Sequence, residues 1–224
     1  VGAVLREYEK SLRQRNTLLR QDGRNTEPMT LDVWDVRVAE AGGRVLANRM
    51  RLLGRMIDRL TEAYRTVGGA RGESLVPTYA ASWVDPGDIY AGLDPDHEVF
   101  ASALLRALEE RRSRDMEMRS TSAGPHRDDP GFALDKRDVR VQASQGEQRS
   151  VALSLRIAAY QLLDDRHGRP PILLLDDVFS ELDSGRADGV TALMPHGQVF
   201  VTSARDDEVP EMGRRWRVAK GVLS

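Results

Sequence analysis

Apolar residues return every three or four positions near the start of the chain. Val4, Leu5, Tyr8, Leu12 and Leu19 fall on one stripe, which predicts a helix from Val1 to about Gln21. A polar turn from Asp22 to Pro28 precedes a longer periodic stretch, marked by Leu31, Trp34, Val38, Ala41, Val45, Met50, Leu53, Ile57, Leu60 and Tyr64. Gly42-Gly43 in its middle predicts a kink or a break. Two such helices are expected to pack antiparallel, with Gly68 to Gly72 ending the pair. Leu75 to Trp83 reads as a strand, and Val84 to Pro95 as a loop with Asp85-Pro86-Gly87 turn chemistry. Glu98 to about Arg114 is a helix with Phe100, Leu104, Leu105 and Leu108 inward. Short strands are expected at Met116–Ser120, Phe132–Leu134 and Val139–Ala143.

The second half alternates helix and strand, the pattern of a parallel sheet with flanking helices. Val151, Leu155, Ala158 and Leu162 define a helix from about Gly146 to Asp165, and Ser144 with Glu147 has the spacing of a capping box at its start. Ile172 to Leu175 has no polar alternation and reads as a strand buried on both faces. A helix over Ser184–Leu193 and a strand over Gln198–Thr202 continue the alternation, and Trp216–Ala219 predicts a last edge strand. The expected fold class is α/β, with a helical arm over residues 1–115 and a mostly parallel sheet with helices over 116–224.

Chemistry concentrates where that apolar strand ends in Asp176 and Asp177. Carboxyl ends of parallel strands are where open α/β sheets bind ligands. Two adjacent carboxylates at the edge of an apolar core call for a cation, unless they only cap a turn. Ser144-Gln145-Gly146 opens a helix whose free N–H groups suit a phosphate, or Ser144 only caps its own helix. Asp183 is placed to cap the following helix.

The order of these parts is more specific than any one of them. Ser144-Gln145-Gly146-Glu147-Gln148-Arg149, then Leu173-Leu174-Leu175-Asp176-Asp177-Val178-Phe179-Ser180-Glu181-Leu182-Asp183, resembles the head of an ABC-type ATPase. With Gly124-Pro125-His126-Arg127-Asp128-Asp129 and the early Arg15-Asn16-Thr17-Leu18-Leu19, the chain is similar to the RecF family of DNA-repair ATPases. The resemblance implies the C-terminal part of an ABC-type P-loop head plus an arm. Asp176 would orient Mg²⁺ through water, and Asp177 would position or deprotonate the attacking water or tune Asp176. ABC transporters usually carry Glu at the second position, so slow turnover is implied. Ser144, Gln145 and Gly146 would dock on ATP held by a second subunit, and Asp183 would reach across the same interface. Thr202 and Ser203 stand where transporters have a His, and a hydroxyl there brings no positive charge. The family further implies DNA gaps or junctions, an ATP-dependent homodimer, RecO- and RecR-type partners and recombinase loading. Two other readings stay open: a non-enzymatic interaction module on a degenerate scaffold, and an SMC-type chromosome-organising ATPase, which the short arm disfavours.

Composition adds limits. The chain has 224 residues, 40% of them hydrophobic, no cysteine and a net charge of −2, so neither disulfides nor a global pull on nucleic acid is expected. With no secretory signal and no apolar run long enough for a bilayer, a cytoplasmic protein is expected. No Gly-x-x-x-x-Gly-Lys-Ser/Thr occurs, which fits a piece whose P-loop lobe lies upstream and which does not hydrolyse ATP alone. DNA contact, if local, falls to arginine groups: Arg51, Arg55 and Arg59 on one helix face, Arg13, Arg15, Arg20 and Arg24 near the arm's tip, and Arg111, Arg112 and Arg114. Each group is otherwise a solvated face. Gly124 to Asp129 is either a solvated turn with internal salt bridges or a contact to nucleotide, lobe or DNA through His126 or Arg127.

Overall fold

The structure is a computed structural model that describes residues 2–23, 28–68, 72–85, 95–194, 196–205, 208–209, 211, 213–219 and 221–223. Pro86-Gly87 of the expected Asp85-Pro86-Gly87 turn, and the inner residues of the 22–28 turn and the 68–72 loop, lie outside them. By contacts the chain forms two compact units, one of residues 1–58 with 75–142 and the other of 59–74 with 143–224. This is a different division from a single cut at 115, because the chain enters each unit twice. No helix among the described residues is long and apolar enough to cross a membrane.

In the first unit, α1 (Gly2–Asp22) packs against α2 (Pro28–Gly68). Glu7 meets Arg44 at 3.4 Å and Arg15 meets Asp35 at 2.5 Å, so the pair runs antiparallel as expected. The core joins Tyr8, Val38, Ala41, Leu46, Phe100 and Leu104, with Phe100 and Leu104 coming from α3 (His97–Glu110). Asp96 caps α3 by accepting from the Glu98 N–H.

Gly42-Gly43 does not break α2, which is continuous over 41 residues. The glycines let neighbouring helices in close. A Cβ on Gly43 would lie 2.5 Å from the His97 carbonyl oxygen and 2.6 Å from the Ala101 nitrogen, and one on Gly42 would lie 2.5 Å from Leu104 Cδ2. Gly43→Ala therefore separates two effects of opposite sign. Helix propensity alone favours alanine by about 1 kcal/mol. The clash is with backbone, so overpacking wins, and a net loss of about 1–3 kcal/mol in unfolding free energy, read from a lowered denaturation midpoint, is expected. A stabilised variant would show that the α2–α3 approach is looser than described.

Two expected strands are helical instead. Met116–Ser120 falls on the end of α4 (Arg112–Met118), where the Ser120 N–H bonds the Asp115 carbonyl at 3.1 Å and the helical turn brings the Asp115 carboxylate inside. Val139–Ala143 is largely α5 (Val139–Gln142), a turn capped by Asp138, whose carboxylate accepts from the Arg140 N–H at 2.7 Å. The alternation Val139-Arg140-Val141 read as a strand, but Val141 stays exposed. The sheet of this unit is antiparallel, in the order β1 (Leu75–Ala80), β2 (Asp129–Leu134), β3 (Arg137–Asp138), with Leu75 opposite Leu134.

In the second unit, α6 (Gln145–His167), β4 (Leu173–Asp176), a 3₁₀ turn (Phe179–Glu181), α7 (Ser184–Ala192) and β5 (Val199–Thr202) alternate as expected. β4 and β5 pair in parallel, Leu173 with Val199 through Asp176 with Thr202. Leu153 and Ile157 of α6, Val190 of α7, Phe179, Ala63 and Val67 form one core. The sheet is covered on one face only. Leu175 points inward at 3% exposure, whereas Ile172, Leu174 and Phe200 are 59%, 64% and 50% exposed. Burial on both faces is thus corrected for these residues: the period of two is present, and the apolar side chains lie on both sides of it. The expected edge strand at 216–219 is reduced to β6 (Val218–Ala219), which pairs with β7 (Val222–Leu223) in a separate hairpin.

Candidate functional site

Asp176 and Thr202 close neighbouring parallel strands in register, so their side chains emerge together at the carboxyl ends. The Thr202 hydroxyl donates to the Asp176 carboxylate. The chain then turns sharply, and Asp177 takes a left-handed φ of 51°. Its N–H donates to the Thr202 carbonyl at 3.0 Å, and its own carbonyl accepts from Ser180 Oγ at 2.9 Å. Phe179, buried in the core, anchors the turn from below. Aspartate tolerates this conformation better than most residues, yet a left-handed non-glycine residue held by its surroundings is a feature of functional turns. Both carboxylates are exposed, and no described arginine or lysine pairs with either.

The start of α6 is built as its spacing predicts. Ser144 Oγ accepts from the Glu147 N–H at 3.3 Å, and Glu147 accepts from the Ser144 N–H at 2.6 Å. Ser144 and Gln145 are exposed, and Gly146 is half-buried. The reciprocal cap settles only the outermost donors, and a helix of 23 residues presents the partial positive charge of its dipole here. Asp183 caps α7 by accepting from the Arg186 N–H at 2.9 Å, so its capping role is real. Ser203 Oγ donates to Glu208 at 2.7 Å and accepts from the Arg205 N–H. The two sensor candidates are therefore held differently: Thr202 on Asp176, and Ser203 on Glu208.

Two carboxylates and a hydroxyl are hard oxygen donors, the kind Mg²⁺ prefers. Among the described residues no group of three or more His, Cys, Asp or Glu side chains could hold a metal ion. This donor set fits an ion that arrives on phosphate and keeps its waters, and it does not fit a cage made by protein alone.

The arginine groups are mostly used inside the fold. Arg15 is completely buried, which removes it from the arm's exposed charges. Its guanidinium bonds Asp35, Asp115 and Thr121. Arg112 bridges Asp32 and Asp35, and Arg111 bonds Ser82 and the Ser122 carbonyl. Of the three on α2, Arg51 bonds Asn48 and the Pro95 carbonyl, Arg59 is ion-paired with Asp165, and Arg55 is the exposed one.

Gly124 to Asp129 is a bonding hub of the first unit. Asp128 accepts from Tyr79 at 2.8 Å and from Trp83 Nε1 at 2.7 Å. Arg49 donates to Tyr79 and to the Pro125 carbonyl. Tyr8 bonds His126 Nδ1 at 2.7 Å, while His126 Nε2 bonds the Thr121 carbonyl. Desolvation pushes the Asp128 carboxyl above its usual range, opposed by the two donors, and pushes His126 below its usual value. Both ring nitrogens of His126 are thus bonded within the unit, although His126 and Arg127 are both exposed. Sequence reasoning missed this hub and also Arg186, which joins Asp183 to α6. The one available signal was the i, i+3 spacing of Asp183 and Arg186.

No protein-family model matches the chain. Curated relatives do. The "DNA replication and repair protein RecF" of Acidothermus cellulolyticus is 38% identical over 220 residues, covering 96% of this chain and 58% of the relative. Those of Frankia alni and Streptomyces avermitilis are 39% and 36% identical, each over 100% of this chain and 60% of the relative. Among solved structures, a recombination mediator protein RecF described with ATP in the RecFOR pathway is 26% identical, with a TM-score of 0.80 over 99% of this chain and 57% of that one. The chain spans about three fifths of the length of the curated relatives it matches. With relatives 36–39% identical over 96–100% of its length, this chain belongs to the RecF family.

Proposed function

We propose that this chain is the arm and the signature/Walker-B portion of a RecF-type DNA-repair ATPase, whose P-loop lies in sequence outside these 224 residues. The observation that carries the reading is the exposed pair Asp176-Asp177 at the carboxyl ends of parallel strands, in the same unit as an exposed, capped helix start at Ser144–Gly146. When bound, ATP with Mg²⁺ supplies the phosphoryl group to be transferred and the charge that two carboxylates oppose. Asp176, oriented by Thr202, holds the ion's water shell. Asp177 positions or deprotonates the attacking water. Ser144, Gln145 and Gly146 bind a phosphate chain carried by a second subunit, so the dimer forms with ATP and opens after turnover. The uncovered Ile172, Leu174 and Phe200 support a further lobe seated on this face.

Dimerisation on DNA gaps or junctions, cooperation with RecO- and RecR-type partners and recombinase loading follow from the family and belong to the whole protein. The decisive measurement compares two proteins. The 224-residue chain alone is expected to release no phosphate from ATP and Mg²⁺, whereas a full-length protein is expected to hydrolyse ATP and to dimerise with it. Robust Mg²⁺-dependent hydrolysis by the short chain overturns the divided site.

A further inference from the structure

We propose that Arg186 is a positioning residue that locks Asp183 to the start of α6, so that both present to a neighbouring subunit as one rigid edge. The inference rests on the reading above, in which Ser144–Gly146 and Asp183 meet a nucleotide held by that subunit.

The geometry joins three points. At one end the Arg186 guanidinium is ion-paired with the Asp183 carboxylate, whose other oxygen accepts the Arg186 N–H. In the middle, Arg186 Nε donates to Ser150 Oγ at 3.1 Å, and that hydroxyl donates to the Gly146 carbonyl at 2.9 Å. At the other end the guanidinium lies against Gly146. A Cβ there would sit 3.3–3.5 Å from its Nη1, Cζ and Nη2 atoms. Ser150 is fully buried and the Arg186 side chain is only 19% exposed, so the contacts at Ser150 and Gly146 are shielded from competing water, while the Asp183 carboxylate is 58% exposed at the edge. One side chain thus spans 36 residues of sequence and ties the cap of α7 to the first turn of α6.

This also explains the residue types. Glycine at 146 leaves room for a planar guanidinium against the backbone. Arginine at 186 has donors in a fixed fork, which lets it serve a carboxylate and a hydroxyl at once, where lysine offers a single point charge. Without the tie, Asp183 still caps α7 and Ser144 still caps α6, so both helices persist. Only their mutual placement loosens, and a misplacement of about 1 Å is enough to weaken an assembled site a hundredfold.

The test uses the full-length protein. Arg186→Met is expected to leave nucleotide binding by the monomer unchanged and to weaken ATP-dependent dimerisation, followed by sedimentation, about tenfold or more, the scale of one charge-assisted hydrogen bond. Arg186→Lys should recover only part of it. In a double-mutant cycle, Arg186→Met with Asp183→Asn should be non-additive, because both remove the same tie. Wild-type dimerisation by Arg186→Met, or additivity in the cycle, overturns the proposal. A Gln145→Arg control separates this from failure of the parent reading. If that control blocks the dimer while Arg186→Met does not, only the role of Arg186 falls. If neither variant affects it, the trans-site reading falls as well. Should Arg186→Met not fold, Arg186→Lys decides: reduced dimerisation with normal monomer binding supports the tie, and wild-type dimerisation overturns it.

Discussion

Arg15→Met is expected to destabilise the first unit more than any other single change described here. Arg15 is 0% exposed and donates to Asp35 at 2.5 Å, to Asp115 at 2.7 Å and to Thr121 at 2.9 Å. Thr121 in turn bonds Asn16, and Asp115 accepts the Ser122 N–H. One guanidinium therefore fastens α1 to α2, to α4 and to the segment that leads into the Gly124 hub. Methionine keeps most of the stem's volume, so the cavity term is small. What remains is Asp115, buried without its cation, while Asp35 keeps its pairing with Arg112. Breaking a buried ion pair from one side costs about 3–5 kcal/mol, because the stranded charge keeps its desolvation penalty. An unfolding free energy from guanidinium denaturation that falls by that amount is the expected reading. The mechanism has its own signature: Arg15→Met combined with Asp115→Asn should be less damaging than the sum of the two changes, with a coupling of about 0.5–3 kcal/mol. Simple additivity would show that lost packing, and not stranded charge, sets the cost.

The same residue marks where sequence reasoning stopped. Arg15-Asn16 was readable as part of a family pattern, but its charge invited a surface role. Burial of an arginine is decided by partners distant in sequence, Asp35 and Asp115, and nothing in the local stripe announces them. Gly42-Gly43 misled for the same reason: glycine is ambiguous between flexibility and close approach until the His97 and Ala101 backbone is seen beside it. The helices themselves, the capping box at Ser144 and the parallel pairing of β4 with β5 were legible, because they rest on short-range spacing. The local alternation at Val139–Val141 was real but too short to decide against a helical turn capped by Asp138.

The uncovered sheet face was not legible for a different reason. An apolar run such as Ile172–Leu175 states that both faces are suited to burial, not that both are buried within the same 224 residues. The exposed Ile172, Leu174 and Phe200 fit the fact that the curated relatives are longer. On the proposed reading the incomplete face and the missing phosphate cradle have one cause. Restoring the rest of the protein should then cover the face and supply the cradle together.

Asp177→Asn carries the largest functional effect. Asparagine is nearly isosteric with aspartate and also tolerates a left-handed φ, so the 51° turn and its N–H bond to the Thr202 carbonyl should survive. Alanine there would add backbone strain and blur the result. On the proposed reading, the substitution removes only the carboxylate that positions or deprotonates water. Loss of a general base lowers turnover by about 10²–10⁴-fold. On the same reading, nucleotide binding depends on the cradle, the ion and Asp176, none of which changes. In the full-length protein the expected outcome is therefore normal ATP affinity, phosphate release reduced by at least a hundredfold, and a dimer that accumulates with ATP because its opening step no longer follows. Asp177→Glu is the informative companion. It restores the charge one methylene further out, so partial activity would place the carboxylate at the water, whereas an inactive Glu variant beside a fully active Asn variant would reassign the role to another group. Turnover by Asp177→Asn at the wild-type rate would sink the assignment outright, and Asp177 would then be a turn residue that supports Asp176 and nothing more.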